Sequence, residues 1–153
     1  MSPIDNQLFC CVSCKGLILF IIFITFCTIS CSSALKVSPV PSEFRLNTLK
    51  YFVENHGADK RRLDKIIANE MNNKGFHTLS GYKKDRPKDF DILIIYDDRW
   101  QWDITNYLIH MRIDLRSPTT NVLLGTGSSY QSSAARKNED LIIKNIISGM
   151  FFE

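Results

Sequence analysis

The residues with chemistry to offer gather in one short stretch. "DDRWQWD", residues 97 to 103, holds three aspartates and both tryptophans of the chain. Asp97, Asp98 and Asp103, with His77 or His110 as proton-transfer partner, are the candidates for acid–base or metal chemistry, because either use requires carboxylates and imidazoles that converge. The spacing argues against both. On an extended strand Asp97 and Asp103 share one face and Asp98 takes the other. There is no His-x-x-x-His spacing, no G-x-S-x-G elbow and no Walker loop. "GTGSS" at 125 to 129 lies inside an expected strand with no helix opening behind it, so it is not a phosphate cradle. His110 falls on the polar side of its strand and reads as a surface residue. The expectation is a non-catalytic domain without metal or cofactor, an uncharacterised hydrolase being the minor alternative.

What remains of the stretch is a contact surface. If the strand persists, Trp100 and Trp102 stand on one face about 7 Å apart, with Arg99 and Gln101 on the other. Asp98, Arg99, Trp100 and Trp102 then form a candidate interaction surface for a protein or saccharide partner. The alternative puts the rings at the edge of the core under a helix. Trp100, nearer the apolar "DILIIY", is expected to be the more buried, and Trp102 lies beside the polar turn.

The elements that position these residues follow from periodicity. "LKYFV" at 49 to 53 reads as a strand. From Asp59 to Lys74, Leu63, Ile66, Ile67 and Met71 recur at helical spacing and Gly75 supplies the stop, while Lys60, Arg61, Arg62 and Lys65 make a solvated face. "FHTLS" at 76 to 80 is a short strand before the polar loop "GYKKDRPKDFD". "DILIIY" is apolar on both faces, as in a strand covered on two sides. Tyr107, Ile109, Met111, Ile113 and Leu115 alternate with His110, Arg112 and Asp114, one face core and the other wet. "RSPTTN" is a hairpin turn with Pro118 and Asn121 at the positions that favour them, leading to the strand "NVLLGTGSSYQ". Asn138 caps a last helix whose stripe is Ile142, Ile143, Ile146, Ile147, Met150 and Phe151. The order β-α-β-β-β-β-α predicts an α+β fold, an antiparallel-rich sheet of about five strands with two amphipathic helices packed on one face.

Ahead of the domain the run "GLILFIIFITFCTIS", 16 to 30, is shorter than the roughly 20 apolar residues a bilayer-spanning helix needs, and it fits the apolar core of a secretory signal with Lys15 on its inner flank. "TISC" is similar to a bacterial lipoprotein signal through Ile29, Ser30 and Cys31, departing at Thr28, where leucine is usual. Residues 32 to 153 hold no cysteine, so Cys31 has no disulfide partner downstream and is the expected lipidation site. A plain secretory cleavage site and an uncleaved signal anchor are the alternatives. Cys10, Cys11 and Cys14 lack a second ligand pair and read as discarded leader. "SSALKVSPVPSEF", rich in serine and proline, reads as a tether without a regular ladder. The expected organisation is a signal peptide over 1–30, the lipidated cysteine and tether over 31–47, and one domain over 48–153. With 19 Lys and Arg against 16 Asp and Glu, the balance is too weakly basic to imply nucleic acid as partner.

"ADKRRLDKIIANEMNNKGF", "DFDILIIYDDRWQWD" and a hairpin ending in "LGTGSSYQSS" before a closing helix together resemble the small uncharacterised bacterial envelope lipoproteins known only as domains of unknown function. The likeness spans about residues 48 to 152. It implies an envelope location and a compact α+β domain, and it carries over no catalytic residue. By the same kind of resemblance Ser32, where an aspartate would favour inner-membrane retention, points to the outer membrane. The expected protein is a non-catalytic lipoprotein held at the periplasmic face of the outer membrane by acyl chains on Cys31. It would serve as an assembly or accessory module for another envelope protein. A soluble periplasmic ligand-binding protein, or a signal-anchored inner-membrane protein, are the other readings.

Overall fold

The computed structural model describes residues 33–152. In chain order its strands are β1 (Ala34–Ser38), β2 (Lys50–Asn55), β3 (His77–Tyr82), β4 (Ile92–Asp103), β5 (Thr105–Arg116) and β6 (Leu123–Tyr130), and its helices are α1 (Leu63–Asn73) and α2 (Glu139–Phe152). They form one six-stranded sheet in the order β1-β6-β5-β4-β2-β3. The fold is α+β. β2 runs parallel to both β3 and β4, α1 crossing over between β2 and β3 and residues 83–91 returning the chain to the start of β4, and the remaining pairs are antiparallel.

Both helices bury their apolar stripes in the same core. Leu63, Ile67, Ala68 and Met71 of α1 join Ile142, Ile143, Ile146, Ile147, Met150 and Phe151 of α2 against Tyr51, Val53, Ile92, Ile94, Met111, Ile113 and Leu115 of the sheet. Alternation along each strand sends the intervening residues to the opposite face. There Phe52 and Leu93 are buried too, so the start of β4 is covered on both sides. Asn138 caps α2 through its Oδ1, which accepts the Leu141 N–H at 3.0 Å, and Asn121 takes the left-handed conformation (φ 57°) in the β5–β6 turn.

Two expectations are corrected. Ala34–Ser38 lies within the segment expected to form no ladder, yet it pairs antiparallel with β6 from Ala34↔Tyr130 to Ser38↔Thr126. Its prolines do not prevent this, because Pro39 and Pro41 fall after the last paired residue. Val37 packs on the core, and Val40, fully buried, donates its N–H to Met150 O at 3.0 Å. The second correction concerns β5. Arg99 pairs with His110 and Trp100 with Leu108, so Ile109 is skipped in a bulge. The skipped residue moves Leu108 into the core and Tyr107 out of it; Tyr107 is covered instead by the Arg136 guanidinium, 4.3 Å from its ring centre.

The "GTG" of β6 has a packing role. A Cβ at Gly127 would lie 2.6 Å from Ile146 Cγ2 and 2.8 Å from Met150 Sδ, and one at Gly125 would lie 2.7 Å from Val40 Cγ2. Glycine thus sets how closely α2 lies on the sheet. Gly127→Val should lower the unfolding free energy by roughly 1–3 kcal/mol through overpacking, read as a lower urea midpoint. Ser128→Val, its neighbour on the other face, should change stability by within about 0.5 kcal/mol. Equal losses in both variants would contradict this account of the glycine.

Candidate functional site

β2 ends at a buried asparagine that organises the chain behind it. Asn55 Oδ1 accepts the Gly57 N–H at 2.8 Å, and its Nδ2 donates to Asp64 Oδ1 at 2.9 Å. Gly57 sits at φ 84°, where a side chain would be strained. Asp59 then accepts the N–H groups of Arg61 (2.8 Å), Arg62 (3.0 Å) and Leu63 (2.6 Å) as well as the Tyr96 hydroxyl (2.7 Å). Of these amides only that of Leu63 belongs to the first turn of α1, where a helix leaves its N–H groups without partners; the carboxylate folds the segment ahead of it, so α1 begins at Leu63 rather than at Asp59. Burial first, and then the Asp59 carboxylate, hold the Tyr96 phenol well above its ordinary pKa, which keeps it a donor.

Arg62 departs from the solvated face expected of it. Left-handed at φ 62°, it turns its guanidinium onto Asp64, Nε to Oδ1 at 2.9 Å and Nη2 to Oδ2 at 3.0 Å. The Asp64 side chain has no exposed surface. A carboxylate there needs such a bidentate partner.

Loop 56–62 and β4 enclose a cleft of about 430 Å³. His56 Nε2 lies 2.9 Å from Asp98 Oδ1, and Trp100 Nε1 donates to Asp98 Oδ2 at 2.6 Å. The His56 and Tyr96 rings are 5.1 Å apart, and the Arg61 guanidinium lies 3.7 Å from the centre of the Trp100 ring. Lys60, Asp97, Asp59 and Ala58 complete the wall. A carboxylate that orients an imidazole is the base half of a nucleophilic site, but this lining has no serine, threonine or cysteine. What the cleft offers is an oriented imidazole, a lysine and a carboxylate against aromatic walls, an arrangement suited to holding a polar ligand.

The residues expected from the sequence divide between this cleft and the surface. Asp98 and Trp100 belong to the cleft, Trp100 being half-buried against the core. Trp102 is 72% exposed. Arg99 is exposed, its Nε 3.9 Å from Asp97 Oδ2. Asp103 is held by Arg136 at 2.8 Å. Among the described residues neither His77 nor His110 hydrogen-bonds to these aspartates; His77 is exposed on β3, and His110 faces Arg99 across the β4–β5 pair with a buried, unpartnered Nδ1. Cys31 lies outside the described residues. The histidine that does meet an aspartate is His56. Its signal was its place after the carboxyl end of a strand, where open sheets with parallel strands bind ligands, but β2 is identifiable as a parallel strand only once its partners are known.

The opposite face of the sheet carries another buried carboxylate. Asp114 accepts from Arg112 Nε (2.8 Å) and Nη2 (3.0 Å), Arg116 Nη2 (3.1 Å) and Thr126 Oγ1 (2.6 Å). Burial pushes the Asp64 and Asp114 carboxyls up, but their hydrogen bonds and arginine charges outweigh it, and both end below the ordinary value. A lowered folded-state pKa stabilises the protein above the unfolded value of about 3.9, and that contribution is lost as pH falls through the folded value. Thermal melts should therefore show the melting temperature dropping below about pH 4. Asp64→Asn and Asp114→Asn should each be less stable at neutral pH and should each flatten the acid limb. Melting curves that shift with pH as the native protein's do would exclude these two groups as the cause.

No family model matches the chain, and no curated protein matches it. Among solved structures it is similar to the PelC dodecamer from Paraburkholderia phytofirmans, with a TM-score of 0.57 at 10% identity over 80% of this chain and 100% of that one. A single-substitution variant of that dodecamer gives a TM-score of 0.58 at 9% identity over the same shares. At such identity the likeness is one of fold.

Proposed function

We propose that the chain is a non-catalytic bacterial envelope lipoprotein, anchored by acyl chains on Cys31 to the periplasmic face of the outer membrane, whose domain is an assembly or accessory module. The observation that carries this reading is the junction between leader and fold. An apolar run ending in "TISC" places Cys31 three residues before Ala34, the first residue of β1, so an acyl group there would hold the sheet itself close to the lipid. A fold shared with a protein solved as a dodecamer supports an assembling role. The His56–Asp98 cleft, with its oriented imidazole and no serine, threonine or cysteine in its lining, fits binding better than covalent catalysis. It also favours a second reading, a soluble periplasmic ligand-binding protein.

Intact mass of the membrane-extracted protein should begin at Cys31 and carry added acyl chains, and Cys31→Ser should release the chain from the membrane or leave it unprocessed. An unmodified cysteine, or a Cys31→Ser protein with unchanged mass and location, contradicts the lipoprotein reading. Partition of the mature chain into the aqueous phase of a detergent separation would favour the soluble alternative.

A further inference from the structure

We propose that the tip of the β4–β5 hairpin, Trp102 with Ile104, inserts into the lipid interface and fixes how the domain stands on its membrane; this rests on the lipid anchor at Cys31 proposed above. Asp103 pairs directly with Thr105, leaving Ile104 alone at the turn. Its φ is 62°, a left-handed conformation unusual for a β-branched residue. Glycine or asparagine would relieve that strain. Instead the position carries an apolar side chain that is 87% exposed, and Trp102 at 72% is next, the two most exposed large apolar side chains among the described residues.

The ladder relates this tip to the start of the domain. β1 and β5 both run antiparallel to β6, so both begin at the same end of the sheet. Ala34 is level with Tyr130 and Tyr130 with His110. Because Ile109 is bulged out, four ladder steps separate the Arg99–His110 pair from the Asp103–Thr105 pair, and at about 3.4 Å per step they carry the tip some 14 Å beyond the start of β1. The tip thus projects from the end of the sheet at which β1 begins, and Ala34 follows Cys31 by three residues in sequence.

Membrane suits this tip better than a protein groove. One tryptophan and one isoleucine on a one-residue turn offer a few hundred Å² at most, well short of the roughly 1,000 Å² of a specific protein interface. An indole and an aliphatic side chain match the headgroup boundary. The charges beside the tip are already paired, Arg136 with Asp103 and Arg99 with Asp97, so the attraction is apolar.

Trp100→Phe leaves Trp102 as the only tryptophan of the two in the chain. The full-length variant, reconstituted in phosphatidylcholine vesicles brominated high on the acyl chain, should show severalfold quenching of Trp102 that persists in high salt. Trp102→Phe, reporting Trp100, should show none, and Ile104→Ser should weaken the Trp102 signal. If Trp100→Phe fails to fold by circular dichroism, the loss of quenching on Trp102→Ser in the otherwise native chain reads the same quantity. Intact mass is taken on each sample. An acylated chain without quenching overturns the insertion while the anchor stands, and quenching of a chain without acyl groups overturns the anchor while the insertion stands. Quenching abolished by salt, or Trp102 buried in an oligomer and out of reach of bromine, also overturns the insertion.

Discussion

Eleven paired positions between β4 and β5 hold the domain together. On one side β4 joins the parallel strands, β2 and through it β3; on the other, β5 joins β6 and β1. The backbone hydrogen bonds of this pair are obligatory, because leaving such groups buried and unpaired costs as much as losing a bond. The pair extends beyond the sheet at one end and bulges once, at Ile109, and both features have consequences. The bulge sets which of Tyr107 and Leu108 enters the core. The extension carries Asp98 and Trp100 past the last pairing with β2, where they meet His56 and Arg61, and carries Trp102 and Ile104 beyond every other strand. Asp59 fastens loop 56–62 to this hairpin through the Tyr96 hydroxyl.

Buried charge divides the molecule in a second way. Asp64 lies in the first turn of α1 and Asp114 on the opposite face of the sheet, each with an arginine two residues away in sequence. In both, short-range geometry decides the pairing. Arg62 reaches Asp64 because its left-handed backbone turns it back over the helix start, and Arg112 reaches Asp114 because residues two apart on a strand share a face. These clusters order the loop and the open face.

Much of this was legible in the residues themselves. The helical stripes from Leu63 and from Ile142, the two-sided start of β4, the cap at Asn138 and the turn at Asn121 each rest on local rules that tertiary context left intact. β1 was hidden because a five-residue edge strand needs only one partner and one inward side chain, Val37, to be held. The bulge was hidden because "YLIHM" is apolar at both parities near Ile109, so either register buries a hydrophobe. His56 was hidden because its aspartate lies 42 positions away on a strand whose parallel neighbour is known only from the sheet order. The tryptophans differ as their distances from "DILIIY" imply, Trp100 half-buried and Trp102 exposed.

In the proposed arrangement the hairpin is the part of the domain that faces lipid, with the β5–β6 turn at the far end of the sheet. Hydrogen exchange on the full-length protein in vesicles, compared with Cys31→Ser in solution, tests that orientation most directly. It predicts slowed exchange over residues 101–106 and at the start of β1, with residues 117–122 unchanged. Slowed exchange at 117–122 with 101–106 unaffected would contradict it.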